Sequence, residues 1–216
     1  MSHTQSIEAV ILQTHNVGEA DRFCIMLSKE KGKIAARARG VRKLTSRFGG
    51  SVLPLSHISS QIRESSAGYM MTDAKRIQEF GPANISSFVH AQQGVEILLH
   101  VLHDEQPLPE IFDALLHFLS YCSTEKEPTS LPFTLQLLHL LGMLPDRENI
   151  YRFGTYSSEQ ITYMESSVTG QWDTLIPLKN NEKKVFSELC ALLISEINTR
   201  PLNAGAVMRD MLTIMK

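Results

Sequence analysis

Lys33, Arg37, Arg39, Arg42, Lys43 and Arg47 fall within the sixteen residues Gly32–Arg47, and no acidic residue stands among them. Lys and Arg side chains gathered in this way neutralise phosphates, and each contact releases condensed counterions whatever the base sequence. A short cationic run also suits a solvated loop. The spacing argues for a surface, because Arg37 and Arg39 alternate with Ala36, Ala38 and Gly40. A period of two places both guanidinium groups on one face of a strand.

Other groupings carry less. Glu96, His100 and His103 stand at i, i+4 and i+7 of a helical pattern. One helix face could aim them at a metal ion, but no further ligand is identifiable and a solvated helix edge is favoured. Glu19 and Asp21 precede a strand and read as turn residues beside Arg22. Tyr69 and Phe48 are candidates for base stacking, although a half-buried role is commoner for such strand aromatics. There is no Gly-x-Ser-x-Gly elbow, no Gly-x4-Gly-Lys-Ser/Thr and no Gly-x-Gly-x-x-Gly. Neither a catalytic residue nor a cofactor is therefore expected. Cys24, Cys122 and Cys190 are odd in number and far apart, which fits core thiols in a reducing cytoplasm better than a disulfide or zinc framework. No apolar run reaches the length of a membrane helix, and the start lacks the pattern of a signal peptide.

The elements that must position the cationic run read as strands. Ile7–Thr14, Asp21–Ser28, Ile34–Gly40, Val52–Arg63 and Gly68–Phe80 are extended patterns, with Glu30-Lys-Gly-Lys33 turning one hairpin. Five strands in eighty residues suggest an OB-type barrel. After Gly81-Pro82 the period becomes helical, with Asn84 or Ser86 as cap for Val89–Leu102. Pro107–Cys122, Ser130–Leu144, Asn180–Asn198 and Asn203–Met215 follow as helices, and residues 149–172 read as a short β excursion. The expectation is an α+β chain: an OB domain over 1–80 and a helical domain over 81–216. Charge divides the same way. Residues 1–80 hold 12 Lys and Arg against 7 Asp and Glu, a formal +5, and the remainder hold 9 against 16, a formal −7, which together make the net −2. Such asymmetry suggests a nucleic-acid face on the first part and a different task for the second.

In order and spacing, Glu8-Ala-Val-Ile-Leu12, Gly18-Glu-Ala-Asp-Arg22, Glu30-Lys-Gly-Lys-Ile34, Ala38-Arg-Gly-Val-Arg-Lys43 and Ser46-Arg-Phe-Gly49 resemble the opening of the bacterial RecO family of recombination and repair mediators. Pro109-Glu-Ile-Phe-Asp-Ala-Leu-Leu116 and Leu135–Gly142 are similar to that family's helical domain. The resemblance implies single- and double-stranded DNA binding, strand annealing, and RecA loading with RecR and single-strand-binding protein, without nucleotide hydrolysis. It assigns phosphate contact to Arg37, Arg39, Arg42, Lys43 and Arg47, with Arg22 and Lys33 in support. Many members carry a four-cysteine zinc knuckle where this chain has Ile150-Tyr-Arg-Phe-Gly154. No structural zinc is expected here, with Tyr151, Phe153 and Tyr163 packing in its place. The chain's end at Lys216 leaves no basic tail to be expected. The alternative is a non-catalytic protein-interaction scaffold with an OB-like domain and no direct DNA role.

Overall fold

β1 (Thr4–Val17) and β2 (Asp21–Ser28) form an antiparallel hairpin about Gly18, and β2 continues into β3 (Gly32–Ala38) through a second tight turn. β4 (Ser56–Ser65) and β5 (Gly68–Glu79) make a third hairpin. β4 pairs antiparallel with β1, while β3 pairs in parallel with β5 over Ala36–Ala38 and Tyr69–Met71. The ring therefore closes in the order β1-β2-β3-β5-β4, and the barrel is OB-type. These elements come from a computed structural model that describes residues 4–197 except 126. Long β1 and β5 can bend around the ring because their pairings carry irregularities, at Ile11/Gln13 in β1 and opposite His57/Ile58 and Gln61/Ile62 for β5.

Alternation decides what fills the barrel. Ile7, Ala9, Ile11, Cys24, Met26, Ile34, Ala36, Ala38, Ile58, Ile62 and Met71 point inward and are buried. Phe23 and Arg37, on the opposite phase of their strands, are exposed. Closure removes the free strand edges that an open sheet of this length would present.

Two compact units do not follow the linear order. The first takes the residues up to Gly81 and returns for Leu102–Ser123, and the second takes Pro82–Val101 and the residues from Thr124 on. Helix α2 (Pro109–Thr124) thus belongs almost wholly with the strands: Phe112 lies edge-on to His57 at 5.9 Å, and Lys29 pairs with Asp113 at 3.1 Å. Gly32 shows how closely the returning chain approaches. Its φ is +71°, and a Cβ there would lie 2.0 Å from the Gln106 carbonyl oxygen.

In the second unit, α1 (Ile85–Val101) starts at Asn84, whose side chain accepts from the Ser87 amide at 2.9 Å. α3 (Leu131–Leu140) carries Pro132 in its first turn, where no amide is needed. Residues 149–172 hold no β excursion. α4 (Ser158–Val168) occupies most of the segment, flanked by 3-10 turns at Ile150–Arg152 and Trp172–Thr174. A reciprocal capping box starts α4: Ser157 accepts from the Gln160 amide, and the Gln160 side chain accepts from the Ser157 amide. Its Tyr163 ring stacks on Phe186 of α5 (Asn180–Ile197), as does Tyr156 from the preceding loop. Tyr151 and Phe153, expected to pack beside Tyr163, stand largely in solvent because the 3-10 turn projects them outward. The helix expected at Asn203–Met215 lies outside the described residues.

Candidate nucleic-acid interface

The basic run is built in two parts. β3 ends at Ala38, so Arg37 is the last exposed strand residue and Arg39 stands in the turn that follows. Ala36 and Ala38, at the alternate positions, are fully buried, and the alternation of exposure continues one residue past the strand. Gly40, at φ +64°, then turns the backbone into a connection that runs to β4. Val41, Val52 and Leu55 bury that connection against the barrel, with Phe48 packed alongside. The Leu55 amide also bonds to the Ile11 carbonyl at 2.9 Å. Between these anchors, Arg42, Lys43, Leu44 and Arg47 face solvent.

Hydrogen bonds give this segment its shape. The Asp21 carboxylate receives Nε and Nη2 of Arg37 on one oxygen, at 2.8 and 2.7 Å, and the Gly40 amide on the other at 2.8 Å. The Gly40 amide, then the Arg37 guanidinium, hold the Asp21 pKa below its ordinary value, with Arg39 adding to the effect. The Arg42 amide donates to Ala20 and its guanidinium to the Gly18 carbonyl, both at 2.9 Å. The β1–β2 turn and the β3–β4 connection are thereby joined beneath one cationic edge.

Arg22 and Lys33 support this edge from within. Arg22 donates to the Val52 carbonyl at 2.6 Å and so ties the connection to β2. Lys33 is mostly covered, pairs with Asp104 at 3.2 Å and donates to the Leu102 carbonyl. Neither partner is visible from local spacing, since both lie about thirty or more residues away in sequence. Of the two stacking candidates, Phe48 packs on the core, and Tyr69 does so in part while lining a surface cleft with Phe23 and Arg37. Phe23 is not among the site residues expected from the sequence. The signal for it is strand alternation: Cys24 and Met26 are inside, so Phe23 stands on the outer phase.

No group of three or more His, Cys, Asp or Glu residues is positioned to hold a metal ion among the described residues. A zinc knuckle does not fit this chain. Its three cysteines are each buried without a disulfide partner and are one short of the four thiolates that such a knuckle needs.

Residues 1–80 match the model described as Recombination protein O N terminal, and residues 83–170 match Recombination protein O C terminal. The chain belongs to the RecO family. Among similar proteins is the DNA repair protein RecO of Cutibacterium acnes, 31% identical over 164 residues, which are 71% of this chain and 67% of the relative. The DNA repair protein RecO of a Nocardioides species is 30% identical over 70% of this chain and 65% of its own length, and that of Anaeromyxobacter dehalogenans is 29% identical over 68% and 61%. The chain thus spans less than two thirds of the latter two relatives. The first family match ends within two residues of the end of β5, so the whole barrel and its cationic edge lie inside it. Among the described residues no helix is long and apolar enough to cross a membrane.

Proposed function

We propose that this chain is a non-catalytic mediator of DNA repair and recombination, acting in the cytoplasm. In this reading it binds single- and double-stranded DNA, anneals complementary strands, and assists RecA loading with RecR and single-strand-binding protein. The observation that carries it is the exposed edge of Arg37, Arg39, Arg42, Lys43 and Arg47, fastened to an OB-type barrel in a RecO family chain. Fixed cations of this kind hold the phosphate backbone and leave base edges unengaged. Two strands lying on one such edge have their mutual repulsion screened while their bases stay able to pair, which is what annealing needs. The acidic balance of residues 81–216 is compatible with that stretch of chain meeting protein partners.

Fluorescence anisotropy tests the reading, using single-stranded and duplex oligonucleotides across a salt series. In the combined Arg39→Ala, Arg42→Ala, Lys43→Ala and Arg47→Ala variant both affinities fall. The slope of log affinity against log salt drops by about 0.7–0.9 for each phosphate contact removed. Annealing of complementary labelled strands slows in parallel. Unchanged affinity together with an unchanged slope would take the edge out of the mechanism and favour an interaction scaffold.

A further inference from the structure

The cleft beside the cationic edge has a different chemistry from the edge itself. β3 meets β5 over only three residues, so Gly32–Ala35 have no β5 partner and the sheet parts there. Asp104 and Glu105 cross the gap, with the Glu105 amide bonding to the Lys33 carbonyl at 2.9 Å. The remaining space, about 410 Å³, is bordered by Phe23, Ala35, Arg37, Gly68, Tyr69 and Glu105. That volume falls in the range of small-molecule sites, roughly 300–1,000 Å³.

Three properties decide what could enter. Phe23 offers an exposed ring on β2, directly across from Arg37 on β3, and Tyr69 forms another wall. Ala35 and Gly68 have little or no side chain, which leaves room beside them for a flat group. Lys33 offsets Asp104 in an ion pair at 3.2 Å, so Glu105 sets the charge of the interior, while Arg37 and the basic segment attract a phosphate at the rim. Burial, the nearby carboxylates of Glu105 and Glu64, and a hydrogen bond to Glu105 raise the Tyr69 hydroxyl pKa, so Tyr69 holds the Glu105 carboxylate at the cleft wall and leaves it further lone pairs.

We propose that this cleft receives one unpaired nucleobase of a DNA strand whose phosphates lie on the cationic edge, and that it favours a base carrying an exocyclic amine. Phe23 supplies the stacking face and Glu105 accepts from the amine, as carboxylates do from cytosine N4. A base paired and stacked within a duplex cannot enter. The cleft therefore adds single-strand preference to a surface that otherwise holds either form. This subsite rests on the DNA-binding reading above.

The test uses the full chain with labelled oligo-dC, oligo-dT and a hairpin duplex at one fixed salt concentration and neutral pH. Wild type binds oligo-dC more tightly than oligo-dT. Phe23→Ala weakens single-strand binding by about fivefold or more, the loss of one stacked base, and leaves duplex binding as it was. Glu105→Gln narrows the dC-over-dT ratio toward one without weakening oligo-dT. Phe23 is exposed at its strand position, so its truncation leaves the core intact. Single-strand affinity unmoved in Phe23→Ala, or lost in the same proportion as duplex affinity, overturns the subsite and leaves the edge standing. A wild-type chain that binds none of the three probes overturns the edge and the subsite together.

Discussion

Asp21 grips Arg37 through both Nε and Nη2, and with its other oxygen it holds the Gly40 amide where β3 turns into the basic connection. One carboxylate thus shapes the cationic edge and partly neutralises it. Asp21→Asn keeps an acceptor for Gly40 and removes the charge that occupies Arg37. The expected outcome is tighter DNA binding at low salt, with a salt slope steeper by up to about 0.9, one added phosphate contact. An affinity that falls instead would mean that shaping the turn matters more than freeing Arg37.

The same contact has a pH signature. The folded-state pKa of Asp21 lies below its ordinary value, first through the Gly40 amide and then through Arg37. A depressed folded pKa contributes stability above the unfolded value, and that stability is lost as pH falls through the folded one. Wild type therefore loses more stability than Asp21→Asn between neutral pH and the region below about pH 4. Urea midpoints measured across this range check the difference.

Gly32→Ala is expected to destabilise the first unit severely. The residue needs φ +71°, and the added methyl would meet the Gln106 backbone at 2.0 Å. Strain of this kind costs on the order of 1–3 kcal/mol before any displacement of the returning chain is counted. Denaturant unfolding gives the loss. A variant as stable as wild type would show that the segment near Gln106 moves aside freely.

The second unit depends on the Phe186 ring, which is fully buried and stacked by both Tyr156 and Tyr163. Phe186→Ala should cost about 3–5 kcal/mol, as deletion of a buried aromatic does. Ser157→Ala, which removes half of the capping box on α4, should cost about 1 kcal/mol. Thermal or urea unfolding distinguishes the two by size.

Cysteine labelling probes burial in both units. The thiols of Cys24, Cys122 and Cys190 are raised to about 11, 12 and 12 by burial. At pH 8 a thiol-reactive dye should label the native protein slowly and all three sites quickly once urea unfolds it, because the thiolate is the nucleophile. Fast native labelling at one site would identify a local opening there.

Much of this architecture was written in local pattern. Extended patterns mark all five strands, and the Ala–Arg alternation puts Arg37 and Arg39 on one face; both are exposed, although β3 ends at Ala38 and Arg39 stands in the turn. Of the two caps that the sequence offers, Asn84 and Ser86, it is Asn84 that starts α1. α4 was the miss. Its Tyr, Ser and Thr content suggested strand, while the Ser157-Ser-Glu-Gln160 capping box that nucleates the helix was the signal to weigh more heavily. Composition is a weak guide when a cap satisfies the first free amides and buried rings hold one face.

The amino-acid sequence by itself determined the strand and helix periods, the concentration of charge between Gly32 and Arg47, and the motifs that mark the family. Only the tertiary structure decided which cations take internal partners. Arg22 is consumed by Val52, and Lys33 by Leu102 and Asp104, through contacts that no local period encodes. It also placed α2 with the strands and opened the cleft between Phe23, Tyr69 and Glu105. The physical reason is the same in each case. Periodicity reports which face of an element is apolar, whereas the partner of a buried charge, and the gap where two strands part, depend on residues brought together from distant stretches of chain.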